Sequence, residues 1–238
     1  MQSQSADDGR GRRSEDVAVW YFRLNGFLTI PGFIVHPDER RLRPHTEADL
    51  LGVRFPFSRE RLARQEMQDH SLLTGIDNKG GRPVFILVEV KADLCNINGP
   101  WSEREQANMQ RVIRRLGFVD DQSVDAIAND MYNSARWEDD DFVLQYVCVG
   151  DRKNDGRQRQ FHNLLQIDWG EIAQFLWSRF SDFPEKLPDG GPVHEQWPDF
   201  GRAYGEWFQL QSGQSSRTGN DGKRQIAVQR YIKRGTCS

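Results

Sequence analysis

One stretch constrains this chain more than any other: Val84-Phe85-Ile86-Leu87-Val88-Glu89-Val90, followed by Lys91. A short, unbroken apolar run rich in β-branched residues suits a strand buried on both faces, and such strands lie inside sheets covered by helices. The run ends in charge. Glu89 and Lys91 stand two apart, so on a strand their side chains share a face while Val90 points to the other. A carboxylate and an ammonium at the end of a central strand are costly unless paired, metal-bound or solvated.

The rest of the pattern predicts a small α/β fold around that strand. Ser14 reads as an N-cap ahead of Glu15 and Asp16, with Val17, Trp20, Tyr21 and Leu24 at helical spacing and Asn25-Gly26 as the stop. Phe27 to Val35 and Thr46 to Phe55 read as two strands of a hairpin. Pro56 to Pro83 is a polar insertion with a short helix expected around Arg59 to Asp69 and a turn at Asn78 to Gly81. Trp101 to Leu116 reads as one amphipathic helix, Phe142 to Gly150 as a second buried strand, and Asp168 to Phe180 as a helix opened by an Asp168/Glu171 capping box. The predicted order is helix, three strands, helix, strand, helix: a mixed central sheet flanked by helices, spanning 14–183. Residues 1–13 are expected to be disordered, and 184–238 to form an irregular extension with a basic tail.

Composition narrows the function classes. No run approaches the roughly 18 to 20 apolar residues of a membrane helix, so no membrane association is expected, and neither a signal peptide nor an anchor is readable at the start. Cys95, Cys148 and Cys237 lie far apart without paired spacing, which argues against a disulfide framework or a zinc ribbon and makes the cytoplasm the expected compartment. The net charge of -3 is uneven: Gly213 to Ser238 carries six cations against Asp221, or +5, so the remainder carries -8. Much of that lies between Val119 and Asp141, where eight acidic residues face only Arg136.

An acidic-x-Lys triplet is weak by itself. Four occur here, at Asp77, Glu89, Asp151 and Asp221, but three lie in turn-like polar stretches where charge is solvated. Only Glu89-Val90-Lys91 closes an apolar strand. The chain has 32 Lys and Arg, of which six are Lys and so 26 are Arg, and a Lys at that position is therefore a marked choice.

With Glu15-Asp-Val-Ala-Val-Trp-Tyr-Phe-Arg-Leu-Asn-Gly26-Phe27, Glu47-Ala-Asp49-Leu50-Leu51 and Val88-Glu89-Val90-Lys91 in this order, the chain resembles the PD-(D/E)xK nuclease superfamily, the restriction-endonuclease-like fold. The resemblance covers about Ser14 to Phe180. It departs at Ala48, where the family's name has Pro, and in the long insertion before the third strand. It implies a Mg²⁺-dependent nuclease, with Mn²⁺ as substitute, that hydrolyses phosphodiester bonds in DNA. Asp49 and Glu89 would be metal ligands, together with the carbonyl of Val90; Glu15 would reach a metal through water or hold a second one; Lys91 would orient or deprotonate the attacking water; and Gln106 would be an accessory group. Hydrolysis of an anionic diester does call for cations at the phosphate and a nucleophilic water at neutral pH.

Each residue also has an ordinary reading. Glu15 suits a helix N-terminus, Asp49 a hairpin end, and Glu89 with Lys91 a structural ion pair. His36, His45, His70, His162 and His194 share no metal-ligand spacing, and a Gly-rich phosphate loop is absent from the sequence. Arg104, Arg111 and Arg115 form a stripe that would track phosphates or simply face solvent. The alternative function is a catalytically silent nuclease-like module that binds nucleic acid or a protein partner in a defence or mobile-element complex, and a homodimer fits either reading.

Overall fold

The computed structural model describes residues 5–36, 46–62, 64–97, 99–154 and 161–182. Helix α1 (Ser5–Leu24) leads into strands β1 (Leu28–Val35) and β2 (Thr46–Arg54). The insertion holds β3 (Glu60–Leu62), β4 (Gln65–Met67) and a one-turn helix α2 (Ser71–Thr74) before β5 (Val84–Val90). Then follow a short α3 (Gly99–Ser102), a 3₁₀ turn over Arg104–Gln106, α4 (Asn108–Leu116), α5 (Asp121–Ser134), β6 (Arg136–Glu138), β7 (Val143–Gly150), β8 (Leu165–Asp168) and α6 (Trp169–Asp182).

The result is an α/β fold on a mixed six-stranded sheet with order β1-β2-β5-β7-β6, while β8 pairs with β7 beyond the end of β6. β1, β2 and β5 run antiparallel in sequence, and β7 lies parallel to β5 after a crossover through α4 and α5. Side-chain alternation separates two cores. Ile86 and Val88 join α1 and α6 on one face, whereas Leu87, Leu51 and Tyr146 join α4 and α5 on the other. The expected strands at Val84 and Phe142 are the two central ones, and every residue of β7 is buried.

Several local expectations are corrected. α1 starts at Ser5, so Ser14 is a buried interior position rather than a cap, and residues 5–13 are helical where disorder was expected. Extending an already nucleated helix needs no new nucleus, so the packed turns from Val17 onward carry the polar ones before them. The helix expected over Arg59 to Asp69 is instead the β3-β4 hairpin. The single helix expected from Trp101 is broken at Ala107, which takes a left-handed φ of 52°, while the buried Asn108 side chain donates to the Pro100 carbonyl at 2.8 Å. The acidic stretch hides α5: Val124, Ile127, Ala128, Met131 and Tyr132 recur at helical spacing and are buried, and Asp120 caps the helix by accepting from the Ser123 N–H. The Asp168/Glu171 capping box forms in both directions, each backbone N–H donating to the other's carboxylate at 2.9 Å. The extension 184–238 and its basic tail lie outside the described residues.

Candidate active site

β2 and β5 end their ladder at the Leu50–Val88 pair, and the next residues outward are Asp49 and Glu89. Both follow the alternation of Leu51 and Leu87, which puts them on the α4/α5 face of the sheet. Where the ladder stops, a side chain takes over: Asp49 Oδ2 accepts from the Val90 backbone N–H at 2.6 Å. One step further, the Lys91 N–H donates to the Val149 carbonyl at 2.8 Å, and the Trp169 indole donates to the Lys91 carbonyl at 3.2 Å. The backbone at this strand end is thus held from β2, β7 and α6 together.

The Lys91 ammonium donates to Glu89 Oε1, forming an ion pair in which Glu89 is 2% exposed and Lys91 21%. The Tyr146 hydroxyl, from β7, lies beside the Glu89 carboxylate. Burial pushes Glu89 up to about 7, with the Asp49 charge adding to the rise and the Lys91 ammonium opposing it. Burial also raises Asp49, against the lowering effects of the Val90 N–H and Lys91. Two neighbouring carboxylates therefore sit where burial disfavours negative charge, a condition that a divalent cation would relieve.

The donor chemistry suits a hard cation. Asp49 and Glu89 offer oxygen only, and Mg²⁺ commonly uses one or two carboxylates and keeps water on its remaining positions. Among the described residues no group of three or more His, Cys, Asp or Glu side chains gathers as a metal nest, so any such ion would rest on this carboxylate pair, backbone and water.

The other expected residues are placed differently. Gln106 turns its amide onto Glu103 and Asn108 rather than toward Glu89, because the break at Ala107 puts it in the 3₁₀ turn and not on a helix face. Glu15 is half-buried on α1, the helix packed on the opposite face of the sheet, and it makes a contact of its own. The Arg stripe is divided among local partners: Arg104 bonds Asn133, Arg111 bonds the Gln106 carbonyl, and Arg115 lies over the Phe33 ring. His70 accepts or donates with the Tyr21 hydroxyl and packs against Phe175, away from the carboxylates. His45 and His194 lie outside the described residues.

Tyr146 and Trp169 escaped the sequence reading because each sits in a run that already looked apolar. So did a pair of thiols. Cys148, directly beside Glu89 in the β5-β7 register, and Cys95, whose thiol reaches the Cys148 carbonyl at 3.5 Å, are both fully buried neighbours despite their distance in sequence. Gly150 admits this contact, since a Cβ there would stand 2.9 Å from Cys95 Sγ and 2.8 Å from the Asp93 carbonyl.

No helix among the described residues is long and apolar enough to cross a membrane. No family model, curated protein or solved structure matches the chain.

Proposed function

We propose that this chain is a Mg²⁺-dependent nuclease of the restriction-endonuclease-like kind that hydrolyses phosphodiester bonds in DNA. The observation that carries the reading is the strand end at which Asp49 reaches across to the Val90 N–H while Glu89 and Lys91 pair beside it. The antiparallel β1, β2 and β5, followed by helices and a parallel β7, support it as a topology that brings Asp49 together with Glu89 and Lys91, 40 and 42 positions further along the chain.

In this reading Asp49 and Glu89 hold the cation, aided by the Val90 carbonyl. A bound Mg²⁺ would supply Lewis acidity at the scissile phosphate and lower the pKa of a coordinated water. Lys91 leaves its partner's Oε1 for the attacking water and the phosphoryl oxygens, where its ammonium offsets developing charge. Tyr146 and the surrounding core exclude solvent from Glu89, which keeps the carboxylate field strong. Glu15, on the helix that covers the other face of the sheet, has no role in this reading.

The silent-module alternative draws on the same ion pair, since Glu89 and Lys91 already satisfy each other in part. Incubating the purified chain with labelled single-stranded and duplex DNA in Mg²⁺, Mn²⁺, Ca²⁺ or EDTA decides between them. Cleavage in Mg²⁺ and Mn²⁺ that disappears in EDTA and in Lys91→Ala is expected; binding without cleavage under every condition would establish the alternative.

A further inference from the structure

Two thiols meet beside the candidate site. Cys148 belongs to β7, where it stands opposite Glu89 in the β5-β7 register and is fully buried. Cys95 comes from the loop that follows Lys91, and this loop runs back along the end of β7: Leu94 bridges Arg152, and the Cys95 N–H donates to the Arg152 carbonyl at 2.8 Å. Ala92, Asp93, Leu94 and Asn96 are exposed, so Cys95 is a buried residue on a solvent-facing loop.

The contact is reciprocal. The Cys95 thiol donates to the Cys148 carbonyl at 3.5 Å, and the Cys148 thiol donates to the carbonyl of Asn96, next to Cys95, at 3.8 Å. The two thiols also share a hydrogen bond. Gly150 makes the room, since a Cβ there would stand 2.9 Å from Cys95 Sγ. A disulfide needs Cβ atoms about 3.5 to 4.5 Å apart, a geometry that thiols already in hydrogen-bond contact reach by turning their side chains.

Their positions are not equivalent. β7 is paired with β5 on one side and with β8 on the other at Cys148, so that sulfur is closed off by the sheet and its cover. Opening of the loop at Cys95 exposes the other sulfur without unfolding the sheet. The hydrogen bond with Cys148 also pulls the Cys95 thiol below its ordinary value, against the effect of burial, and the same bond together with burial pushes Cys148 up.

We propose that Cys95 and Cys148 are an oxidation site, at which a peroxide produces an intramolecular disulfide that clamps the loop after Lys91 onto β7. The Cys95 thiolate attacks one peroxide oxygen and the O–O bond breaks. Cys95 becomes a sulfenic acid, and the second oxygen leaves as water with the proton of the thiol. The Cys148 sulfur then attacks the Cys95 sulfur, the S–O bond breaks, and the hydroxyl leaves as a second water with the Cys148 proton. Two thiols thus give up two electrons and one peroxide takes them. The bond joins residues 53 apart in sequence, which restricts the unfolded chain and stabilises the folded one. No step uses a metal or DNA, so the site stands or falls independently of the nuclease reading.

The test uses the full chain carrying Cys237→Ser, which leaves Cys95 and Cys148 as its only cysteines. Folded protein is treated with hydrogen peroxide, unfolded in the presence of a maleimide, and analysed by mass spectrometry. Loss of both labelling sites without added oxygen is expected, with a peptide linking Cys95 to Cys148 after digestion and full labelling restored by dithiothreitol. The oxidised form should melt at least about 5 °C above the reduced one. With Cys148→Ala added, Cys95 should stop as the sulfenic acid and be captured by dimedone; with Cys95→Ala added, Cys148 should remain a thiol. The linked peptide is read in protein that keeps both cysteines, so misfolding of either alanine variant leaves the main result standing. Two free thiols after peroxide, oxidation of Cys95 to a sulfinic acid with Cys148 untouched, or a linked form that melts below the reduced one overturns the proposal.

Discussion

Replacing Glu89 with Gln should stabilise the metal-free protein at alkaline pH while disabling the site. The folded chain raises Glu89 from its ordinary 4.5 to about 7, chiefly by burial, so between those values the folded state keeps a proton that the unfolded state releases. Stability from this group is therefore fullest below pH 4.5 and is lost as pH rises through 7. At 1.36 kcal/mol per pH unit the whole loss is about 3 kcal/mol, and the part falling between pH 5 and pH 8 is about 2 kcal/mol. For a domain of this size that corresponds to roughly 4 to 8 °C in melting temperature. The amide keeps the shape and still accepts from Lys91, but it cannot ionise. Thermal unfolding in EDTA at pH 5, 6, 7 and 8 should show the melting temperature of Glu89→Gln rising relative to wild type as pH increases. His70, which burial lowers, acts with the opposite sign, but it is present in both proteins and cancels in the difference. Added Mg²⁺ should then raise the wild type at pH 8, by about 2.7 kcal/mol at a hundred times its dissociation constant, and leave the variant unmoved. A difference between the two proteins that stays flat from pH 5 to pH 8 would refute the account of Glu89.

Lys91→Ala should lower the cleavage rate by two orders of magnitude or more and, because it leaves the buried Glu89 carboxylate without its ion-pair partner, lower the melting temperature more at pH 8 than at pH 5; plasmid nicking assays read the rate and calorimetry the stability. Ca²⁺ should support DNA binding without turnover, measured by anisotropy alongside gel assays, because it accepts the same oxygen donors with looser geometry. Asp168→Ala removes one half of the α6 capping box and should cost about 1 kcal/mol in urea unfolding with no change in metal affinity. Gly150→Ala should destabilise by about 2 kcal/mol, since the new Cβ meets the Asp93 carbonyl and the Cys95 thiol; a neutral effect in the same unfolding assay would mean that the loop at Asp93 yields freely.

Local patterns were enough to identify the central strands, since unbroken runs such as Val84 to Val88 and Phe142 to Gly150 have few other stable placements than a sheet interior. The same holds for the α6 capping box, whose two partners lie three residues apart and meet whatever the rest of the chain does. That Glu89 and Lys91 share a face follows from strand alternation alone. Elements with mixed signals were less legible: α5 was obscured by its acidic exposed face, and Ala107 carries no mark of the left-handed turn that breaks the helix before α4 and directs Gln106 away from the carboxylates.

What the sequence by itself determined was thus the α/β class, the identity of the central strands and the charged end of one of them. Tertiary structure alone decided what surrounds that end. The placement of Asp49 against Val90 depends on the β2-β5 register, and the nearness of Tyr146 and Cys148 to Glu89 depends on β7 lying parallel to β5. Pairing between strands is a long-range choice, settled by which faces can be buried together across the whole sheet, and periodicity within one segment contains no record of it. The raised pKa of Glu89 has the same origin, because the desolvation behind it is supplied by the packed core and not by its neighbours in sequence.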